Sequence, residues 1–217
     1  MICAVIFDMD GVLIDTEKHY NAAWCQAATE AGFPFNREHA LLLRSCEAKE
    51  GEKLMQGIFG PSFDYYAIRE RRRELVRERL AQYGLEKKPG VEETLRFLRA
   101  KGIKTAVATA TALDITKSHL TTIGVCDLFD SIVSAKNVAH GKPEPDVYLY
   151  ACEQIGERPQ DCMAVEDSPN GIMAAYRAGL RTVMVPDLTQ PDEELTKYLY
   201  ACVNSLSDLC ELVDKED

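Results

Sequence analysis

Two kinds of hydrophobic pattern divide this chain. Near the start, and again beyond residue 89, apolar residues come in short runs: Cys3–Phe7, Thr105–Ala108, Ser131–Val133, Cys162–Val165 and Thr182–Val185. Runs of this length suit strands buried on both faces, although a run alone does not exclude a buried helix. Helical stretches separate them over Val91–Lys101, Ala112–Ile123, Pro145–Ile155 and Gly171–Ala178. Tyr200–Val203 offers a last short strand and Leu206–Leu212 a terminal helix. Regular alternation of this kind predicts right-handed βαβ units and a parallel sheet.

Residues 36–88 read differently. They contain no convincing strand, only helical patches at Glu38–Arg44, Ala48–Ile58 and Phe63–Tyr83, broken near Gly60-Pro61 and at Gly84. A further helix starts at Asp15 or Thr16, which can cap it, and stops near Ala31 before Gly32 and Pro34. The expected fold is therefore α/β: a doubly wound, Rossmann-like parallel-sheet core from residues 1–15 and 89–217. An inserted α-helical cap domain, residues 16–88, leaves the core just after the first strand, placed to open and close over its end. The run Arg69-Glu70-Arg71-Arg72-Arg73-Glu74 invites a reading as an anion-binding patch. Interleaved acids, and an apolar stripe at Ile68, Leu75, Val76, Leu80 and Tyr83, favour a solvated helix face instead.

Composition narrows the class. A chain of 217 residues, 46% apolar and 28% charged, has room for one large domain or a domain with an insertion. Its formal charge of −10 argues against nucleic-acid and anionic-membrane partners. The eight cysteines are scattered without a C-x-x-C pair and read as small buried hydrophobes in a reducing compartment. The first apolar run has no basic flank and is cut short by Asp8, unlike a signal peptide. No segment approaches the ~18 apolar residues of a membrane span. A soluble, cytoplasmic monomer is expected.

Chemistry gathers where the runs end. The first stops at Asp8-Met9-Asp10-Gly11-Val12, two carboxylates one residue apart that need a cation, a shared proton or full solvation. The second leads into Thr109-Ala110-Thr111, and the loop beyond the third holds Gly141-Lys142-Pro143-Glu144-Pro145-Asp146. The fourth is followed by Glu166-Asp167-Ser168. In a parallel sheet these ends share one edge, where ligands bind. Such a set suits phosphoryl transfer. Asp8, Asp167 and Glu166 offer hard oxygens for Mg²⁺, and no His/Cys cluster recommends zinc. A carboxylate can attack phosphorus, Lys142 can offset charge, Thr109 and backbone N–H groups can donate hydrogen bonds, and Asp10 is left to move protons. Asp146 reads as structural, in the first turn of a helix. His19, His39, His119 and His140 show no ligand spacing.

On these motifs, in this order, the chain resembles the haloacid dehalogenase-like phosphohydrolases, in the branch that includes beta-phosphoglucomutases and small phosphosugar phosphatases. The resemblance covers essentially the whole chain. It implies Asp8 as nucleophile and metal ligand, and Asp10 as general acid/base with its main-chain carbonyl on Mg²⁺. It further implies that Thr109 and Ala110 hold the phosphoryl group, Lys142 neutralises charge, and Asp167 binds Mg²⁺ with Glu166 beside it or behind it. The mutase pattern has a histidine one helix turn beyond the Asp-Thr pair; that position here is Tyr20, with His19 shifted by one. The mutase lysine-glycine loop has as nearest counterpart Arg44-Ser45-Cys46-Glu47-Ala48-Lys49, without the glycine. Hydrolysis of a small phosphorylated metabolite is therefore expected, with the phosphosugar mutase as alternative. A receiver-like phospho-acceptor signalling domain is a remote third reading. It is disfavoured because such a domain needs neither the helical insertion nor a second acid.

Overall fold

The computed structural model describes residues 2–215. Six parallel strands form one sheet in the order β3-β2-β1-β4-β5-β6: β1 Ala4–Phe7, β2 Lys104–Thr109, β3 Ser131–Ser134, β4 Cys162–Glu166, β5 Arg181–Met184 and β6 Ala201–Cys202. The central strand pairs with β2 through Ala4↔Lys104 and with β4 through Ala4↔Cys162. Both faces of these strands are buried. Val5, Phe7, Val107, Met163 and Val165 join one hydrophobic cluster, while Ala4, Ile6, Ala106, Ala108 and Ala164 join another on the opposite face. This is the period-2 division of side chains between two covered faces. The second face is mostly alanine, which lets α7 (Asp146–Ile155) and α8 (Pro169–Arg177) lie close to the sheet.

On the first face lie α5 (Val91–Ala100) and α10 (Leu206–Asp214), and α6 (Leu113–Thr122) follows β2. Between β1 and α5 come four helices: α1 Glu17–Glu30, α2 Arg37–Leu41, α3 Ala48–Phe59 and α4 Tyr65–Tyr83. They have a core of their own around Trp24, Phe35, Met55, Phe63 and Tyr65. The chain leaves and re-enters the sheet region on two segments that run side by side: Asp15 N donates to Glu86 O at 2.9 Å and Lys88 N to Leu13 O at 3.0 Å.

The strand and helix expectations hold with shifts of one or two residues, except that α2 ends at Leu41, three residues before the expected Arg44. A short helix, α9 (Glu193–Thr196), was not expected. The anticipated solvated face of α4 is a correction in part. Arg71 pairs with Glu30 and Glu74 in solvent as expected, but Arg72 lies over the rings of Tyr20 and Trp24, 5.0 Å from each centroid. Tyr83, placed on the apolar stripe, is exposed. All eight cysteines are free, and among the described residues no helix is long and apolar enough to cross a membrane.

Candidate active site

The register of β1 fixes the site. Phe7 sits opposite Val107 and Val165, so the next residue, Asp8, emerges where the strand order reverses, and its N–H donates to Val165 O at 2.9 Å. Gly11 then turns the chain with φ +84°. Any side chain there would be strained, and its Cβ would run into the carboxylate of Asp167. Gly171 is required for a similar reason, because a Cβ would strike the carboxylate of Glu166.

Lys142 is the hub of the buried charges. Its Nζ donates to Asp8 Oδ1 (2.7 Å), Glu166 Oε1 (2.6 Å) and Ala108 O (3.0 Å), which uses all three ammonium protons. Glu166 Oε1 also accepts from Tyr148 OH at 2.6 Å, and Oε2 accepts from Asp167 N and Ser168 Oγ at 3.2 and 3.3 Å. Burial alone would lower the lysine pKa, but the carboxylates of Asp8 and Glu166 outweigh it and raise the ammonium above its usual range. Burial lifts Asp8 to about 7 despite Lys142, with Glu166 and Asp10 adding to the rise. Burial also raises Asp167 well above the carboxylate range, against the pull of Arg44. More acid than base is enclosed here, and that residue of negative charge invites a cation.

Asp10 is held differently. Thr16 Oγ1 donates to its Oδ1 at 2.5 Å and Thr111 Oγ1 to its Oδ2 at 2.9 Å, so each oxygen is oriented by a hydroxyl that can also accept. Thr109 is buried at the end of β2, where its Oγ1 accepts from Thr111 N at 3.1 Å. Asp8, Asp10, Thr109, Ala110 and Thr111 all line one cavity of 490 Å³, whose other walls include Tyr20, Trp24 and the α4 arginines. A volume of this size suits a small metabolite.

The carboxylates of Asp8, Glu166 and Asp167 can each bring an oxygen within 4.8 Å of the others, and all three are buried. Hard oxygens converging on enclosed space fit Mg²⁺. Glu166 is already committed to four donors, so Asp8 and Asp167 are the freer pair. Arg44, from the loop after α2, at present holds Asp167. Its Nη2 donates to the carboxylate and, at 3.1 Å, to the main-chain oxygen, while its Nε lies 3.2 Å from Glu17.

The structure thus brings together Asp8, Asp10, Thr109, Ala110, Lys142, Glu166 and Asp167. Asp146 begins α7 and accepts from His140 N at 3.1 Å, in the structural role expected of it. Sequence reasoning missed Tyr148, Thr16 and the cavity-facing Arg72. For Arg72 a signal existed: residues 68, 72, 76 and 80 form one i+4 row, and the other three are apolar.

Residues 5–185 match the haloacid dehalogenase-like hydrolase family. Hexitol phosphatase B of Escherichia coli is 31% identical over 99% of this chain and 96% of its own length. The chain belongs to the haloacid dehalogenase-like hydrolases. Within that family, the phosphorylated carbohydrates phosphatase of Thermotoga maritima is 32% identical, covering 83% of each chain. The crystal structure of beta-phosphoglucomutase from Clostridium difficile superposes with a TM-score of 0.82 at 25% identity, over 99% of this chain and 96% of that one. These relatives place this haloacid dehalogenase-like hydrolase in the phosphosugar phosphatase and beta-phosphoglucomutase branch.

Proposed function

We propose that the protein is a Mg²⁺-dependent phosphatase that hydrolyses a small phosphomonoester of the sugar-phosphate class through an aspartyl-phosphate. The observation that carries this reading is the pairing of Asp8, neutralised by Lys142, with Asp10, held two residues on between two hydroxyls. One carboxylate is poised to attack and the other to exchange protons.

A carboxylate oxygen of Asp8 attacks phosphorus as the bond from phosphorus to the ester oxygen breaks, and Asp10 gives that oxygen its proton. Asp10 then takes a proton from water, whose oxygen attacks phosphorus and releases Asp8 with inorganic phosphate. The hydroxyl of Thr109 and the N–H of Ala110 are the donors for the phosphoryl oxygens. Lys142 favours the ionised form of Asp8 and offsets incoming charge, and Glu166 with Tyr148 holds Lys142 in place. Mg²⁺, held by Asp8, Asp167 and the main-chain carbonyl of Asp10, would supply further positive charge against the phosphoryl oxygens.

Water rather than a sugar hydroxyl is the acceptor in this reading. His19 is buried and stacked on Tyr83, rings 5.8 Å apart, while Tyr20 takes the cavity-facing position, so the imidazole of α1 is turned away from the cavity; the histidine that lines it, His119, comes from α6. The test is phosphate release from simple esters. Wild-type protein with Mg²⁺ is expected to turn over p-nitrophenyl phosphate, chelation to stop it, and Asp8→Asn to lower the rate by on the order of 10⁴-fold or more. Turnover near wild type in Asp8→Asn sinks the mechanism. Faster conversion of beta-glucose 1-phosphate to glucose 6-phosphate than to free phosphate replaces the phosphatase by a mutase.

A further inference from the structure

The chemistry at the sheet edge accounts for one end of a substrate and leaves a set of cations unused. Arg69 and Arg73 on α4 and Lys136, just beyond β3, line the 490 Å³ cavity with Asp8 and Asp10. Arg69 and Lys136 also line an adjoining cavity of 250 Å³, together with Ser45, Cys46 and Ala110 but without Asp8 or Asp10. These two cations therefore stand where the cavities meet.

Their charges are poorly answered. Arg73 has Glu70 at 2.7 Å, but among the described residues no carboxylate lies within ion-pair distance of Arg69 or Lys136. Lys136 is exposed, yet partial desolvation with Arg69 and Arg73 nearby holds its ammonium below its ordinary range, while Glu47, which also lines the 250 Å³ cavity, pulls the other way. The loop is nevertheless fixed. Ser134 Oγ accepts from Lys136 N at 3.2 Å and donates to Thr111 O at 2.6 Å, tying Lys136 to the segment that orients Asp10. A chain of net charge −10 thus gathers three cations along the cavity wall, Arg69 half-buried and Arg73 and Lys136 open to solvent, where a bound anion would answer their charge.

We infer that the substrate carries a second anionic group, a phosphate or carboxylate at the end remote from the scissile phosphate, bound by Arg69 and Lys136 with Arg73 beside them. This rests on the phosphatase reading for the scissile end. A planar guanidinium can hold such a group through two parallel hydrogen bonds, while the ammonium acts as a point charge. The ligand would bridge α4 and the strand edge, so binding it also draws the helical layer onto the sheet.

The Asp8→Asn protein, expected to hold substrates without turning them over, allows affinity to be measured directly by calorimetry with Mg²⁺. Two pairs isolate the second anion: 6-phosphogluconate against glucose 6-phosphate, and fructose 1,6-bisphosphate against fructose 6-phosphate. The doubly anionic member is expected to bind about tenfold to a hundredfold more tightly in at least one pair, and the pair that shows it names the anion. Adding Arg69→Gln and Lys136→Gln together should abolish that preference, with an unchanged melting temperature confirming the fold, while Lys136→Arg should retain it. Equal affinities within both pairs, a preference that survives both glutamine substitutions, or failure to bind any of the four overturns the inference. Wild-type turnover of p-nitrophenyl phosphate judges the phosphatase reading separately. No turnover beside an intact preference sinks that reading alone, and turnover without a preference sinks only the second-anion site.

Discussion

The carboxyl edge of the sheet and the α4 wall above it both gather charge, and they handle it in opposite ways. At the edge, Lys142 spends every proton on a named acceptor, and Glu166 takes four donors. On the wall, Arg69 has no acid partner within ion-pair distance among the described residues, and Arg72 rests on two aromatic rings. A saturated network is rigid and specifies one chemistry. An unsaturated one waits for a ligand and can be retuned without touching the reaction. On the proposed reading, chemistry is set in the sheet and choice of substrate above it.

Substitutions can break or sharpen this contrast. The largest effect is expected at the edge in catalysis. Asp10→Asn should slow turnover by ~10²–10⁴-fold, most strongly for esters with poor leaving groups. Steady-state rates on a leaving-group series check this, and a uniform small loss would reject Asp10 as the proton carrier. Next comes stability. Lys142→Met strands Asp8 and Glu166 together without a counter-charge and should cost ~3–5 kcal/mol by urea unfolding. A smaller loss would mean that the edge is less committed than its hydrogen bonds imply.

The third test uses pH. Burial lifts Asp8 to about 7 in the metal-free protein, so between its ordinary value and about 7 the folded state holds a proton that the unfolded state has lost. The unfolding free energy contributed by this group therefore falls as pH rises through that window. Chelated wild type should melt at a lower temperature at about pH 8 than at about pH 5, and Asp8→Asn, with nothing to titrate there, should show a smaller fall. An equal fall in both proteins would remove Asp8 as its source. The smallest effect is reserved for the outer face of α4: Arg71→Ala removes pairs to Glu30 and Glu74 and should change stability by no more than ~1 kcal/mol.

What was legible in the sequence follows from the same contrast. The runs ending in Asp8, Thr109 and Glu166 announce themselves because a strand buried on both faces has no reason to stop at carboxylates unless the edge uses them. The order of the motifs, and hence the family, could be read directly. Tyr148 could not, because a tyrosine inside a helix gives no sign that a glutamate 18 residues on will need its hydroxyl. The contact of Arg44 with Asp167 joins residues 123 apart and depends on how the helical layer sits on the sheet. Arg72 was misread because mixed charge along α4 looked like a solvent face, although its place in the 68–72–76–80 row pointed inward. The start of α8 at Pro169, two residues before the expected Gly171, is set by Ser168, whose Oγ accepts from Gly171 N at 3.2 Å.

The register of β1 has a consequence for how the molecule is made. Ala4 pairs with Lys104 on one side and Cys162 on the other, so the strand bearing Asp8 emerges from the ribosome long before either neighbour exists. The four helices that follow it need only local contacts and one another's side chains, and they can condense while β1 is still unpaired. Asp8 is therefore made well before the strands that lock it in place. A nascent chain halted near residue 90 would hold the residues of all four helices while β1 still lacked both of its sheet partners.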